Sequence, residues 1–412
     1  MKTGTHGFIA DRLKQARKAR SLSGISLAKM VGISRQALSQ YETNKSTPSP
    51  EVLARMAKAL NLPPIYFTRT LDLLPQGTIF YRSMSSATKT ARKRAESRFS
   101  WMRSISLYVA QFVTLPRAEF PDLCLPNDPL LLSDRLIDDA ASSLREYWGL
   151  RMNPISNMVL LLENKGAVVA RDQLGAQTLD SLSEFVHEEE RPYVLIGTDK
   201  GTSARWRFDA AHELGHAVMH ASANPKSVSK PELHKLMEDQ AHRFAASFLL
   251  PLESFGDELF SVSLDAFLAL KPRWKTSIAM MIRRARDAGF LSPDAERGMW
   301  VNYARRGWRR GEPYDDTIEI EEPRLLRRSF ELLLDHGLQS TADILSSLAL
   351  SDTDVESLSG LPRGFLQSYG KVGLRQLYSN KETWRSNTEF AEPSAPIIQL
   401  HRNKGITSGR EP

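Results

Sequence analysis

A chain of 412 residues, 41% of them hydrophobic, has the length for two or three domains, each with its own core. The first 110 residues carry 19 Lys+Arg against 5 Asp+Glu and the rest carry 36 against 43, so the basic excess marks a nucleic-acid-binding module joined to a mildly acidic body. Cys124, the only cysteine, excludes an internal disulfide and cysteine-based zinc fingers; with no secretory apolar region and no membrane-length run, a reducing cytoplasm is the expected compartment.

From Ile9 to Phe67 the chain reads as four or five short helices. In the first, Phe8 to Ala19, Ile9, Leu13 and Ala16 face inward and Arg12, Lys14, Arg17 and Lys18 outward. Leu27, Ala28 and Met30 mark a second helix that ends at Gly32, which supplies a positive-φ turn. Ser34 then caps a helix whose exposed residues are Arg35, Gln36, Ser39 and Gln40. Helix, glycine turn and capped helix make a helix-turn-helix for double-stranded DNA. Arg and Gln form paired hydrogen bonds to base edges, while Lys45 and the arm from Lys14 to Arg20 are expected on phosphates. The run LAKMVGISRQALSQYETNKSTPSPEVLARMAKAL resembles the XRE helix-turn-helix family, over residues 1–68. Two positions depart from that family's pattern: Gly24 replaces its Gln and Asn44 its Gly, although Asn tolerates the left-handed conformation. Such modules read paired half-sites, which makes a homodimer an expectation.

Residues 69–128 read as a connector. IFYR begins it as a strand or turn, and a long helix follows from Ala87 to Thr114, basic at Lys89, Arg92, Lys93, Arg94 and Arg98, then apolar at Trp101, Ile105, Tyr108, Val109 and Phe112. The basic half either touches the DNA backbone or faces solvent. The proline-punctuated loop from Pro116 to Pro129 marks a domain boundary. The body, 129–290, opens with helices from Asp134 to Tyr147 and Pro154 to Asn164, followed by strands from Ala167 to Arg171 and Tyr193 to Gly197.

Ser203 is placed to cap a helix through AHELGHAVMH. On that helix His212 and His216 lie one turn apart on one face, so both imidazoles can reach one ion. Glu213, beside the first of them, has the position from which a carboxylate takes a proton from the attacking water and passes it to the leaving amine. Ser222 stands where a metzincin would have a third His. In a second amphipathic helix, Met237 to Pro251, Glu238 is the expected third ligand and Asp239 the alternative. Two His and one carboxylate leave one position open, the catalytic zinc arrangement. His220, one turn past His216, reads as structural, with joining the metal as the alternative, and His234 and His242 read as polar helix residues or as hydrogen-bonding partners of the ligands or oxyanion stabilisers.

RFDAAHELGHAVMH followed by EDQAHRFAASFLLP resembles the ImmA/IrrE family of metallopeptidases over about residues 130–290. The resemblance implies Zn2+ held by His212, His216 and Glu238, with Glu213 as general base. It departs at His242, where the family has Asn or Asp. The expected fold is mainly α with a small α+β zincin-like domain, preceded by an all-α helix-turn-helix domain and a long connecting helix. Residues 291–391 read as a C-terminal helical region and 392–412 as a disordered tail, with no internal repeat legible. The function expected is that of a DNA-binding zinc endopeptidase. The resemblance implies a single protein substrate, commonly a transcriptional repressor, cleaved under stress or during mobile-element activation. The alternative is a transcriptional regulator whose peptidase-like body senses a metal or ligand without cutting.

Overall fold

Serine caps and left-handed turn residues set out the N-terminal helices α1 (Ala10–Ala19), α2 (Gly24–Val31), α3 (Arg35–Glu42) and α4 (Pro50–Leu60). Ser23, Ser34 and Ser49 each accept the backbone N–H three residues on, and α2 stops at Gly32 with φ 70°. Arg17 on α1 grips the Glu42 carboxylate at 2.5 and 2.9 Å, which fixes α3 against α1. The computed structural model describes residues 4–70, 78–82, 88–175, 179–223, 230–369 and 398–400.

A four-stranded sheet organises the body. Its strands are β1 (Ile79–Arg82), β3 (Val168–Asp172), β4 (Ser181–Val186) and β5 (Arg191–Gly197), in the order β1-β4-β5-β3, with only β3 and β5 parallel. The period-2 alternation of a strand sorts the side chains to two cores. Val168, Ala170, Leu182, Tyr193 and Leu195 join one that also contains Leu27 and Leu38 of the N-terminal helices and Phe99 of α5 (Lys89–Val109). Val169, Val194 and Ile196 join the other, with α6 (Asp134–Tyr147), α7 (Met158–Asn164), α8 (Ser203–Met219) and α9 (Pro231–Leu249). The long connecting helix α5 therefore covers one face of the sheet, and α8 the other.

Helix α5 is shorter than its sequence pattern predicts. Thr88 caps it, Ala87 lies outside the described residues, and Val113–Thr114 leave the helical path as β2 to pair with β6 (Gln399–Leu400). Of the tail from residue 392, only 398–400 are described. Arg98 of the basic half is buried, donating to Asp172 on β3 at 2.5 and 3.0 Å and to Asp354. Arg20 at the end of α1 donates to the same Asp354 at 2.7 and 2.5 Å.

Helices α10 (Leu252–Asp257), α11 (Leu264–Trp274), α12 (Ile278–Asp287) and α13 (Pro293–Arg305) complete the second core. Three buried glutamates cap helix starts from a distance: Glu321 accepts from Met158 N, Glu312 from Ile278 N, and Glu163 from Leu325 N at the start of α14 (Leu325–Asp335). Helices α15 (Thr341–Leu348) and α16 (Asp352–Ser359), followed by α17 (Phe365–Tyr369), show a repeat that the sequence conceals. Like α2 and α3, α15 and α16 are eight residues each and are separated by a left-handed residue, an apolar residue and a capping Ser: Ala349 (φ 53°), Leu350 and Ser351. In place of an exposed recognition face, α16 buries Asp354, Val355, Glu356 and Leu358. The part of the expected helical region beyond Tyr369, residues 370–391, lies outside the described residues.

Candidate metal centre and DNA-reading helix

Thr202 caps α8 in place of Ser203, whose hydroxyl donates to Glu319 O. Helix α9 packs closely along α8, and Gly215 permits the approach: a Cβ there would lie 3.1 Å from Phe244 Cδ1 and 3.3 Å from Ala241 Cα. That packing brings the predicted ligands together. His216 Nε2 lies 3.1 Å from His212 Nε2 and 3.2 Å from Glu238 Oε1, and Glu238 Oε2 lies 3.6 Å from His212 Nε2. Asp239, the alternative ligand, is exposed and paired with Lys235 at 2.7 Å.

A hydrogen-bond chain behind His216 sets its tautomer. Gln240 Nε2 donates to Pro129 O (2.7 Å) and Leu132 O (3.3 Å), so its Oε1, 3.0 Å from His220 Nε2, accepts from that nitrogen. The neutral His220 ring is left with Nδ1 as an acceptor, and His216 Nδ1, 3.0 Å away, donates to it. The Nε2 lone pair of His216 consequently points at His212 and Glu238. Burial drives the His220 pKa down to about 3, which keeps this ring neutral.

Burial, followed by repulsion from His242, holds the His212 pKa well below the usual imidazole value. Two imidazole nitrogens and a carboxylate converging on one point make a donor set that fits a divalent ion such as zinc. His242, where the family pattern is broken, lies at the same centre. Its Nδ1 donates to Glu238 O at 2.7 Å, and His212, Glu238 and His242 offer atoms within 4.8 Å of one another. His234 is buried and its Nε2 has no hydrogen-bond partner among the described residues.

Glu213 is fully buried. Its carboxylate accepts from Ser181 Oγ (2.5 Å) and Ser183 Oγ, both on β4, and burial raises its pKa. Neither serine was singled out by motif reasoning, nor was Gln240. The alternation Ser-Leu-Ser in SLSEFV was the available signal, since it places Ser181 and Ser183 on one face of a strand. Phe80 of β1, also unforeseen, stacks on the His216 ring with centroids 4.5 Å apart and planes 12° apart.

Arg35, Gln36, Ser39 and Gln40 are exposed on α3, and Lys45 is exposed just beyond it. No helix among the described residues is long and apolar enough to cross a membrane. Residues 13–67 match the helix-turn-helix family model. Residues 162–286 match a peptidase-family model described as the IrrE N-terminal-like domain. No curated protein matches the chain. The protein accordingly joins an XRE-type helix-turn-helix domain to an IrrE N-terminal-like domain, a regulator's DNA-binding fold linked to a peptidase-family domain.

Proposed function

We propose that this protein is a cytoplasmic zinc endopeptidase with a sequence-reading DNA-binding domain, and that it cuts a specific partner protein such as a transcriptional repressor. The observation that carries the reading is the convergence of His212, His216 and Glu238 directly beside Glu213. His212, His216 and Glu238 would hold the zinc, which would supply Lewis-acid chemistry to the scissile carbonyl and to water. Glu213, oriented by Ser181 and Ser183, takes the proton of the attacking water and delivers it to the amine nitrogen as the C–N bond breaks. Its raised pKa suits a group that must hold that proton briefly. Arg35, Gln36, Ser39 and Gln40 read base edges, Lys45 holds a phosphate, and two copies on paired half-sites form a dimer. A repressor bound at a neighbouring operator then meets the peptidase at high local concentration.

The test combines zinc analysis with cleavage of candidate repressors, with and without chelator. Cleavage that survives zinc removal, or persists in Glu213→Gln, sinks the proposal. Arg35→Ala and Gln36→Ala should each weaken specific DNA binding by about 1–3 kcal/mol and leave zinc content unchanged. One observation favours the regulator that senses without cutting: His212, Glu213 and His216 are at most 1% exposed, beneath the protein's own β1. Intact regulation in Glu213→Gln, with regulation lost in Arg35→Ala, would decide for that second reading.

A further inference from the structure

Strand β1 is four residues long and lies on the outer edge of β4, antiparallel to it, with Phe80 opposite Ser183 and Arg82 opposite Ser181. These two serines orient Glu213. Strand alternation sends Phe80 and Arg82 toward α8, and both meet the centre. Phe80 stacks on His216 and is 3% exposed; Arg82 pairs with the buried Asp209, one turn before His212, and lies over the Phe208 ring at 4.9 Å. Among the described residues, no side-chain partner other than Arg82 is seen for Asp209. On the opposite face, Tyr81 OH donates to Glu96 Oε1 at 3.0 Å. The chain reaches β1 through 71–77 and leaves it through 83–87, both outside the described residues.

An exposed sheet edge binds an extended peptide by adding it as another strand, with main-chain hydrogen bonds supplying affinity and alternate side chains specificity. We infer that β1 occupies the substrate's own place. It is a built-in occupant of the peptide-binding edge of β4, and a segment of the partner protein must displace it. This rests on the peptidase reading and extends it to a substrate class. The incoming segment is extended, presents an aromatic side chain to the His216 ring, and places a cationic side chain two residues later against Asp209. Until it arrives, Phe80 shields the metal ligands.

The test uses the full chain carrying Glu213→Gln, so that binding is read separately from hydrolysis. The probe is a fluorescein-labelled peptide, GTIFYRSM, followed by anisotropy. Phe80→Ser with Arg82→Ser weakens docking in cis and should tighten peptide binding about tenfold or more, because a self-occupied site lowers apparent affinity by the fraction that is open. A Tyr81→Cys/Leu182→Cys pair, in a Cys124→Ser background, should abolish binding when oxidised and restore it on reduction. The peptide GTISYSSM should bind about tenfold more weakly than the probe. Equal binding to the Glu213→Gln chain with and without the β1 substitutions, equal binding to the oxidised and reduced lock, or equal binding of the two peptides overturns the inference. Failure of the peptidase reading shows elsewhere, as absent zinc-dependent hydrolysis by chains that retain Glu213.

Discussion

Gln240→Met tests the hydrogen-bond chain behind the candidate metal centre. Met has nearly the volume of Gln but no acceptor for His220 Nε2, 3.0 Å away, and no donor for Pro129 O or Leu132 O. Gln240 is 4% exposed, so water does not readily replace it. With its acceptor gone, His220 moves its proton to Nδ1, which lies 3.0 Å from His216 Nδ1. Two donors cannot face each other there, so His216 carries its proton on Nε2 instead, the atom that faces His212 and Glu238. Zinc must then displace that proton. Loss of such an outer partner weakens metal binding roughly 10- to 100-fold, equivalent to about 1.4–2.8 kcal/mol. Carbonyls left without donors lower folding stability by roughly 1–3 kcal/mol in addition. Competition against a chromogenic chelator measures the first effect, and urea unfolding of the apo protein the second. Gln240→Glu keeps the acceptor and loses the amide donors, so it should lose stability while zinc affinity holds within about threefold. A folded Gln240→Met protein with unchanged zinc affinity would refute the tautomer argument.

Two further outcomes test the supports of the fold. Arg98→Met leaves Asp172 buried without its guanidinium and removes one of the two arginines on Asp354; it should cost about 3–5 kcal/mol in urea unfolding, with part recovered in Arg98→Met/Asp172→Asn. A loss below about 1 kcal/mol would mean this network does not hold the N-terminal helices to the sheet. Burial raises the Glu163 carboxyl from 4.5 to about 8, so the folded state binds that proton more tightly than the unfolded one. The resulting stability is complete below pH 4.5 and is lost as pH rises toward 8. Glu163→Gln keeps an acceptor for Arg324 N and Leu325 N, so urea midpoints taken at acid and mildly alkaline pH should fall less with rising pH in the variant than in the wild type. The same slope in both proteins would count against this assignment.

Local signals carried much of the architecture. Helix α6 runs over the predicted span from Asp134 to Tyr147, because its apolar residues recur at helical spacing after a capping Ser133. Gly32 and Ser34 announced the turn between α2 and α3 for the same local reason. Strand β4 was not read, because SLSEFV alternates serine with apolar residues on a strand whose two faces are both buried. The repeat of the helix-turn-helix spacing at α15–α16 was hidden as well. It rests on backbone conformation at Ala349, where Ala replaces the expected Gly, and on an N-cap, while the side chains of α16 are chosen for burial against α5 and β3.

The sequence alone determined the chemistry on offer: two imidazoles one helical turn apart, a carboxylate between them, a later glutamate, and a serine-capped helix presenting Arg and Gln. Apart from the glutamate, 22 residues beyond His216 on a second helix, those relations lie within about four residues of one another or along one helix, where backbone geometry dictates which side chains share a face. Only the tertiary structure decided that Gly215 lets α9 close on α8, that Gln240 reaches back to Pro129 and Leu132 to set a histidine proton, and that β1 lies across the finished centre. Each joins residues far apart in the chain, and the packing of two buried cores, which no local pattern encodes, is what brings them together.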